Sequence, residues 1–217
     1  MYWSGCCSRS RSSFYESADS VDNQYFDKLY DGNDDPWAMR HRWYERRKRA
    51  LLLACLPQEH YGAIFEPGCA NGETSLALST RCDYLLSCDM NARAVGLTQA
   101  RLHELDHAHA RQAALPADWP SERFDLIVLN ELGYYLNRTD FSQVIEQVRR
   151  SLKPGGQLVA CHWLATIEGA PQTAEQVHAQ LQAELGMHRL IEHKEGDFLL
   201  ELWGLEPTTV AQLEGLR

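Results

Sequence analysis

The sequence predicts an α/β fold in which helices cover both faces of a mainly parallel sheet. Three observations carry that prediction. Short apolar runs alternate with helical patterns of about 10–15 residues through most of the chain, the signature of βαβ units. The run FDLIVLN at 124–130 holds five apolar residues of seven with no polar alternation, as a strand covered on both faces should. The stretch FEPGCANGETS at 65–75 takes an apolar run into an acid, passes two glycines and enters a helical pattern, which is how a nucleotide-type turn leaves the first strand of such a sheet.

Residues 1–20 are polar and serine-rich without periodicity, which predicts a flexible tail. Residues 21–217 then read as one domain, whose segment 21–57 is a helical arm. From Tyr25 to Leu56 the pattern is helical: Asp35 and Pro36 open a segment, Trp43, Arg47, Leu51 and Ala54 recur at helical spacing, and Pro57 closes it. A short strand at Ala63–Glu66 precedes the glycine turn, and Glu73–Arg81 reads as a helix. Tyr84–Cys88 is a second strand ending in Asp89, and Asn91 caps the next helix, which carries Ala94, Leu97, Ala100, Leu102 and Leu105. A weaker strand is predicted near Ala110–Leu115, then the strand 124–130, then a helix over Phe141–Leu152 stopped by KPGG at 153–156. QLVACHW gives a further buried strand, Thr173–Leu185 a helix, and Met187–Glu192 with Phe198–Trp203 two closing strands. In such a sheet ligands collect beyond the carboxyl ends of the strands. The predicted ends are Glu66, Asp89, Leu115, Asn130–Glu131 and His162–Trp163.

Composition narrows the function. The chain has 217 residues, 44% hydrophobic and 24% charged, enough for a buried core. Its net charge of −9 opposes binding to a polyanion, so nucleic acid is not expected as a partner. No apolar stretch approaches the ~20 residues that span a bilayer, and no membrane association is expected. Seven cysteines without C-x-x-C pairs fit reduced thiols and a cytoplasmic setting. His103, His107 and His109 lack the H-E-x-x-H pattern, so no metal site is expected there. Nothing in the sequence fixes the oligomeric state.

The glycine turn discriminates among cofactors. A P-loop needs a lysine after its second glycine, and none occurs between Lys48 and Lys153. A dinucleotide fingerprint started at Gly68 places Ala70 second and Glu73 third, with Glu66 just upstream. Acids there repel a pyrophosphate. A cofactor without phosphates fits better. In S-adenosyl-L-methionine the positive methionine end suits an acid after the first strand, and small residues let the backbone approach. Glu66-Pro67-Gly68-Cys69-Ala70-Asn71-Gly72 matches E/D-x-G-x-G-x-G with Ala70 in the middle position, and Asp89, 17 residues after Gly72, ends the second strand where a carboxylate can accept both ribose hydroxyls.

Together with FDKLYDGNDDPWAMRHRWYERRKRALLLACLP at 26–57, WPSERFDLIVLNELGYYL, LKPGGQLVACHWL and DFLLELW, this stretch resembles the class I methyltransferases of the nodulation protein S type, over about Phe26 to Trp203. The D-P-W…W-Y-E-R-R-K arm is the specific part, because the glycine loop and LKPGG are common to class I methyltransferases. The resemblance implies a seven-stranded sheet with an antiparallel last strand, an arm over the cofactor site, S-adenosyl-L-homocysteine as product, and methyl transfer to a small acceptor. In the nodulation branch that acceptor is the free amine of the terminal sugar of a de-N-acetylated chito-oligosaccharide. Two departures stand out. Ala114-Leu115-Pro116 lies where many relatives carry an adenine-binding acid, and Leu164 follows His162-Trp163 where relatives often carry a basic residue.

The expected site follows. Glu66, Gly68, Cys69, Ala70, Gly72, Asp89, Met90, Ala114, Leu115 and Asn130 are expected at the cofactor, with Trp37 from the arm and Arg47 reaching the cofactor's carboxylate. Glu131 is the first candidate for gripping or deprotonating the acceptor amine, with a structural carboxylate as the alternative. His162 is the second, against a satisfied structural histidine. Of Tyr134 and Tyr135, one is expected to orient the acceptor and the other to pack. Trp37, Trp43 and Tyr44 either form an aromatic lid or pack the arm on the sheet. The rest of the basic run RHRWYERRKR reads as a solvated face. An O-methyltransferase for a sugar or natural-product hydroxyl, a non-catalytic S-adenosylmethionine-binding regulator and a nicotinamide enzyme are the competing functions.

Overall fold

The computed structural model describes residues 19–217, so most of the predicted tail, with Cys6 and Cys7, lies outside the described residues. Ser20 is tied down, donating to Asp140 and accepting from the Asn137 amide at 2.8 Å. The elements run α1 (Asn23–Tyr30), α2 (Trp43–Cys55), β1 (Tyr61–Pro67), α3 (Glu73–Ser79), β2 (Cys82–Asp89), α4 (Ala92–Leu102), β3 (Ala108–Gln112) and β4 (Phe124–Asn130). A 3-10 turn at Gly133–Tyr135 follows, then α5 (Arg138–Ser151), β5 (Leu152–Trp163), α6 (Ala174–Glu184), β6 (His188–Lys194), β7 (Phe198–Gly204) and α7 (Val210–Leu213). The seven strands lie in the order β3-β2-β1-β4-β5-β7-β6. The first five are parallel, and β7 is antiparallel to both its neighbours. This is the class I methyltransferase fold.

The unbroken apolar run of β4 explains the layers. Ile127 and Leu129 pack on one face with Phe65, Phe141, Val144 and Val148, while Leu126 and Val128 pack on the other with Ile64, Leu78 and Leu85. Successive side chains point to opposite faces, so both faces need apolar residues. Each fully buried leucine, isoleucine or valine contributes about 1.5–3 kcal/mol. The chain order reverses at β1, with β2 on one side and β4 on the other, which opens a crevice beyond their carboxyl ends.

Several boundaries differ from the sequence-based expectation. The arm is two helices, α1 and α2, separated by turns over 31–42 in which Gly32 takes φ 69°. Strand β3 begins earlier than expected and stops at Gln112, leaving Leu115 in the following loop. Helix α5 ends at Ser151, and KPGG lies inside β5, where the pairing with β4 shifts register. The buried face of α2 is rotated by one residue from the expected stripe: Lys48 and Leu52 turn inward, while Trp43 is 68% exposed under Arg46. Trp43 is therefore neither lid nor packing.

Candidate functional site

A cavity of about 640 Å³ opens beyond the carboxyl ends of the parallel strands. Its floor comes from the β1, β2 and β4 ends (Gly68, Ala70, Asp89, Met90, Asn130, Glu131), and its roof from the arm (Tyr25, Phe26, Tyr30, Trp37, Tyr44, Lys48). The arm is fastened over it by charge. Glu73, in the first turn of α3, pairs with Arg101 at 2.8 Å and with the arm's Arg40 and Arg49 at 3.5 Å. Asp35 accepts from Asn71 at 2.8 Å and from its own Met39 amide at 2.7 Å.

At one end the glycine turn meets Asp89. Gly72 takes φ 77°, and a Cβ there would meet the Thr98 Cα at 2.9 Å, so α3 and α4 can approach only with glycine in that position. Ala70, in the middle glycine position, also holds a left-handed φ of 50°, which a non-glycine residue adopts at a cost of about 1–3 kcal/mol. That geometry lets the Ala70 amide donate to Asp89 at 3.0 Å, while the Asn91 amide donates to the other oxygen at 2.9 Å. Burial raises the Asp89 carboxyl, and these backbone donors pull it back.

At the other end stands Glu131, also left-handed at φ 55°. Its carboxylate takes the Lys48 ammonium at 2.5 Å, the Tyr134 hydroxyl and the Trp163 amide at 3.0 Å. Lys48 is only 5% exposed. It also pairs with Glu45 at 3.1 Å and lies 5.0 Å from the centre of the Tyr44 ring. Burial pulls the Lys48 ammonium down, but Glu131 and Glu45 outweigh it and hold it charged, above its ordinary value. Burial likewise pushes the Tyr44 phenol up to about 12, against the opposing pull of Lys48. The hydroxyls of Tyr30 and Tyr44 are buried without any hydrogen-bond partner among the described residues.

Of the expected site residues, Gly68, Ala70, Asp89, Met90, Leu115, Asn130, Trp37, Glu131, Tyr134 and Tyr135 line this one cavity, and Tyr44 joins them. Both tyrosines, not one, face it, although Tyr135 also packs edge-on against Phe26. Six residues are placed otherwise. Cys69 and Gly72 shape the turn from behind, and the Ala114 amide is turned to Asp118. Glu66 is 2% exposed and ends on Ser75 and Ser87, so it braces the turn instead of facing the cavity. Arg47 lies away from the cavity, held by Glu195 in a two-pronged pair at 2.7 and 2.8 Å. His162 is fully buried beneath Gly133, because the inward face of β5 points its ring under the sheet's helix layer. Burial and the neighbouring His178 and Lys48 lower it far below the usual imidazole range.

Tyr30, Arg42, Glu45 and Lys48 are site residues that the sequence reading missed. Lys48 had a signal: Tyr44, Lys48 and Leu52 recur at i, i+4 on one helix face. Arg42 makes no ion pair among the described residues, whereas the neighbouring Arg40, Arg47 and Arg49 all do. Among the described residues no group of three metal-ligating side chains comes together, and no helix is long and apolar enough to cross a membrane. His103 and His107 instead contact backbone carbonyls of Ala100 and Ser79.

Comparison with known proteins agrees with this fold. The profile of the Nodulation protein S (NodS) family matches residues 19–186. Nodulation protein S of Rhizobium tropici is 32% identical over 128 residues, 58% of this chain and 54% of that protein. The chain spans about half the length of the curated relatives it matches. A crystal structure of a candidate methyltransferase from Pseudomonas syringae is 53% identical, with TM-score 0.68 over 75% of this chain and 99% of that one. N-methyltransferase NodS from Bradyrhizobium japonicum WM9, crystallised with S-adenosyl-L-homocysteine, is 26% identical, with TM-score 0.74 over 83% of this chain and 96% of that one. The chain belongs to the nodulation protein S family.

Proposed function

We propose that this protein transfers a methyl group from S-adenosyl-L-methionine to an amine of a small acceptor, an amino sugar of a de-N-acetylated oligosaccharide being the first choice. One observation carries the reading: a single cavity has the Asp89 carboxylate and small-residue turn at one end and the Glu131–Lys48–Tyr134 cluster at the other. Donor and acceptor would share one room.

The residues present fit the cofactor. Asp89 retains carboxylate lone pairs for two ribose hydroxyls after accepting its backbone donors. The Tyr30 hydroxyl, buried and unpartnered at the same cavity, supplies a hydrogen-bonding group with nothing in the protein to satisfy it. Met90 and Leu115 offer apolar walls for the adenine. Arg42 is the lining cation without an acid partner among the described residues and takes the part the sequence suggested for Arg47, facing the methionine carboxylate. When bound, the cofactor supplies an electrophilic methyl group on a sulfonium that departs as a neutral thioether.

The charge of the lining favours an amine. It holds five carboxylates (Glu45, Asp89, Glu131, Glu168, Asp197) against Arg42 and Lys48. The Lys48 ammonium, gripped by two carboxylates and set over the Tyr44 ring, illustrates how these walls hold a primary ammonium. Glu131 already accepts three donors, so its part is to place Tyr134, Trp163 and Lys48. It is not a free base. The acceptor's proton leaves to water at the rim, where Trp163 is 40% exposed and Glu168 and Asp197 are solvated. In-line placement of the nitrogen, with water excluded from the reacting atoms, supplies the acceleration.

Mass spectrometry of products tests this directly. With S-adenosylmethionine, a chito-oligosaccharide carrying a free terminal amine is expected to gain about 14 Da, one methyl group replacing one N–H hydrogen, and its fully N-acetylated twin to stay unchanged. Methylation of both would point to a hydroxyl acceptor. Methylation of neither, with S-adenosylhomocysteine still bound, would retire the amino-sugar reading.

A further inference from the structure

Behind the Glu131 end runs a chain of hydrogen bonds whose direction is fixed at every link. The Gly133 amide donates to His162 Nε2 at 3.0 Å, so that nitrogen carries a lone pair and the His162 proton sits on Nδ1. Nδ1 then donates to His178 Nε2 at 3.0 Å, which places the His178 proton on its own Nδ1. That group donates to Glu201 Oε2 at 2.6 Å, and Arg189 holds Glu201 Oε1 at 2.5 Å. His162, His178 and Glu201 are all at least 97% buried, whereas the Arg189 side chain is 42% exposed on β6. The order of donors is dictated from one terminus by a backbone amide that can only donate, and from the other by a carboxylate that here only accepts.

The cavity-side terminus leaves little freedom. A Cβ on Gly133 would meet Val177 Cγ1 at 2.5 Å and His162 Nε2 at 3.1 Å, so the backbone rests directly on the imidazole. Gly133 opens the 3-10 turn that carries Tyr134 and Tyr135, and the Tyr134 hydroxyl donates to Glu131. The His162 ring also meets that of Tyr134 edge-on, with 5.3 Å between centroids.

We propose that His178 and Glu201 are positioning residues: they select the His162 tautomer whose Nε2 lone pair seats Gly133, and thereby set Tyr134 and Glu131 at the acceptor end. Without the Glu201 carboxylate, the His178 Nδ1 proton has no acceptor, and only the Gly133 amide still selects this order. The reverse order then competes: His178 donates from Nε2 to His162 Nδ1, and the His162 proton, on Nε2, points at the Gly133 amide. The relay carries a change on the outer strands to the cavity floor without moving a charge through it. The relay itself stands on geometry alone; only its consequence for methyl transfer rests on the reading proposed above.

Nitrogen-15 NMR of histidine side chains in the full chain reads the relay directly. Wild type is expected to show His162 and His178 both as neutral Nδ1–H tautomers, with a strongly protected Gly133 amide. In Glu201→Met, which removes the acceptor and leaves Arg189 free to reach solvent, both rings should shift toward Nε2–H and Gly133 exchange should accelerate at least about tenfold, as for loss of one buried hydrogen bond. His178→Phe, which deletes the acceptor of the His162 Nδ1 proton with an aromatic ring in place, should likewise accelerate Gly133 exchange and serves if Glu201→Met does not fold. A folded variant that keeps His162 as Nδ1–H with unchanged Gly133 exchange overturns the proposal. Binding of S-adenosylhomocysteine should stay within about twofold while turnover of the amine falls about tenfold or more, the split expected when only acceptor placement is lost. Shifted tautomers with unchanged turnover would leave the relay standing and contradict the acceptor end.

Discussion

Lys48→Met is expected to lower the unfolding free energy by about 3 kcal/mol, the lower end of the cost of breaking a buried ion pair. The methionine fills the channel of the lysine stem but leaves two carboxylates, Glu131 and Glu45, without their cation. Their side chains are 21% and 14% exposed, so water recovers part of the loss and the upper end of the range is not reached. Because Lys48 comes from the arm and Glu131 from the end of β4, the same change unfastens the roof of the cavity. Adding Glu131→Gln should return about 1 kcal/mol or more, since the second change removes the stranded charge. Urea unfolding of the single and double variants checks both numbers. A Lys48→Met variant within about 0.5 kcal/mol of wild type, the ordinary range of surface substitutions, would contradict the pairing.

Glu66→Gln carries the second large effect, and its sign depends on pH. Burial pushes the Glu66 carboxyl up to about 7, although the Ser75 and Ser87 hydroxyls pull it back, and the nearby Asp89 charge adds to the rise. The folded protein therefore holds this proton more tightly than the unfolded chain, whose carboxyl has its ordinary value of 4.5. Below 4.5 both states are protonated and the position is at its most favourable. As the pH climbs through 7, that advantage is lost, and above it the cost is complete at about 3 kcal/mol by linkage. Glutamine keeps the shape and a carbonyl for the two serines without the charge. The variant should match wild type near pH 4 and exceed it by about 3 kcal/mol near pH 8, measured by denaturant unfolding at both. Parallel stability curves for the two proteins would show that Glu66 is not a buried, perturbed acid.

The sequence made the order of elements legible because β4 and β5 are covered on both faces and had to be apolar without alternation. Asp89 and the glycine turn were legible for a similar reason: the chain can turn there only with small residues, and Ala70 still takes the left-handed backbone of the glycine it replaces. The arm was less legible. Six of ten residues in RHRWYERRKR are basic, and charge alone does not say which one turns inward. A stripe read one residue out of phase selects Arg47, which meets Glu195, instead of Lys48, which meets Glu131. His162 shows the opposite limit. Its place at a strand end was visible, but which face its ring takes depends on pairing and on His178, 16 residues further along. Glu66 fits a cofactor motif by spacing, yet the serines at 75 and 87 that claim it come together only in the folded chain.

Calorimetric titration with S-adenosylhomocysteine is the measurement closest to the central claim, that this cavity holds the methyl donor by its Asp89 end. Wild type should bind one molecule per chain, and Asp89→Ala should bind about 10–100-fold more weakly, as for the loss of charged hydrogen bonds. Arg47→Ala, whose guanidinium is committed to Glu195, should bind within about twofold of wild type, the change expected of a surface ion pair distant from the ligand. Absence of binding by the wild type, or equal affinity in Asp89→Ala, would contradict the account.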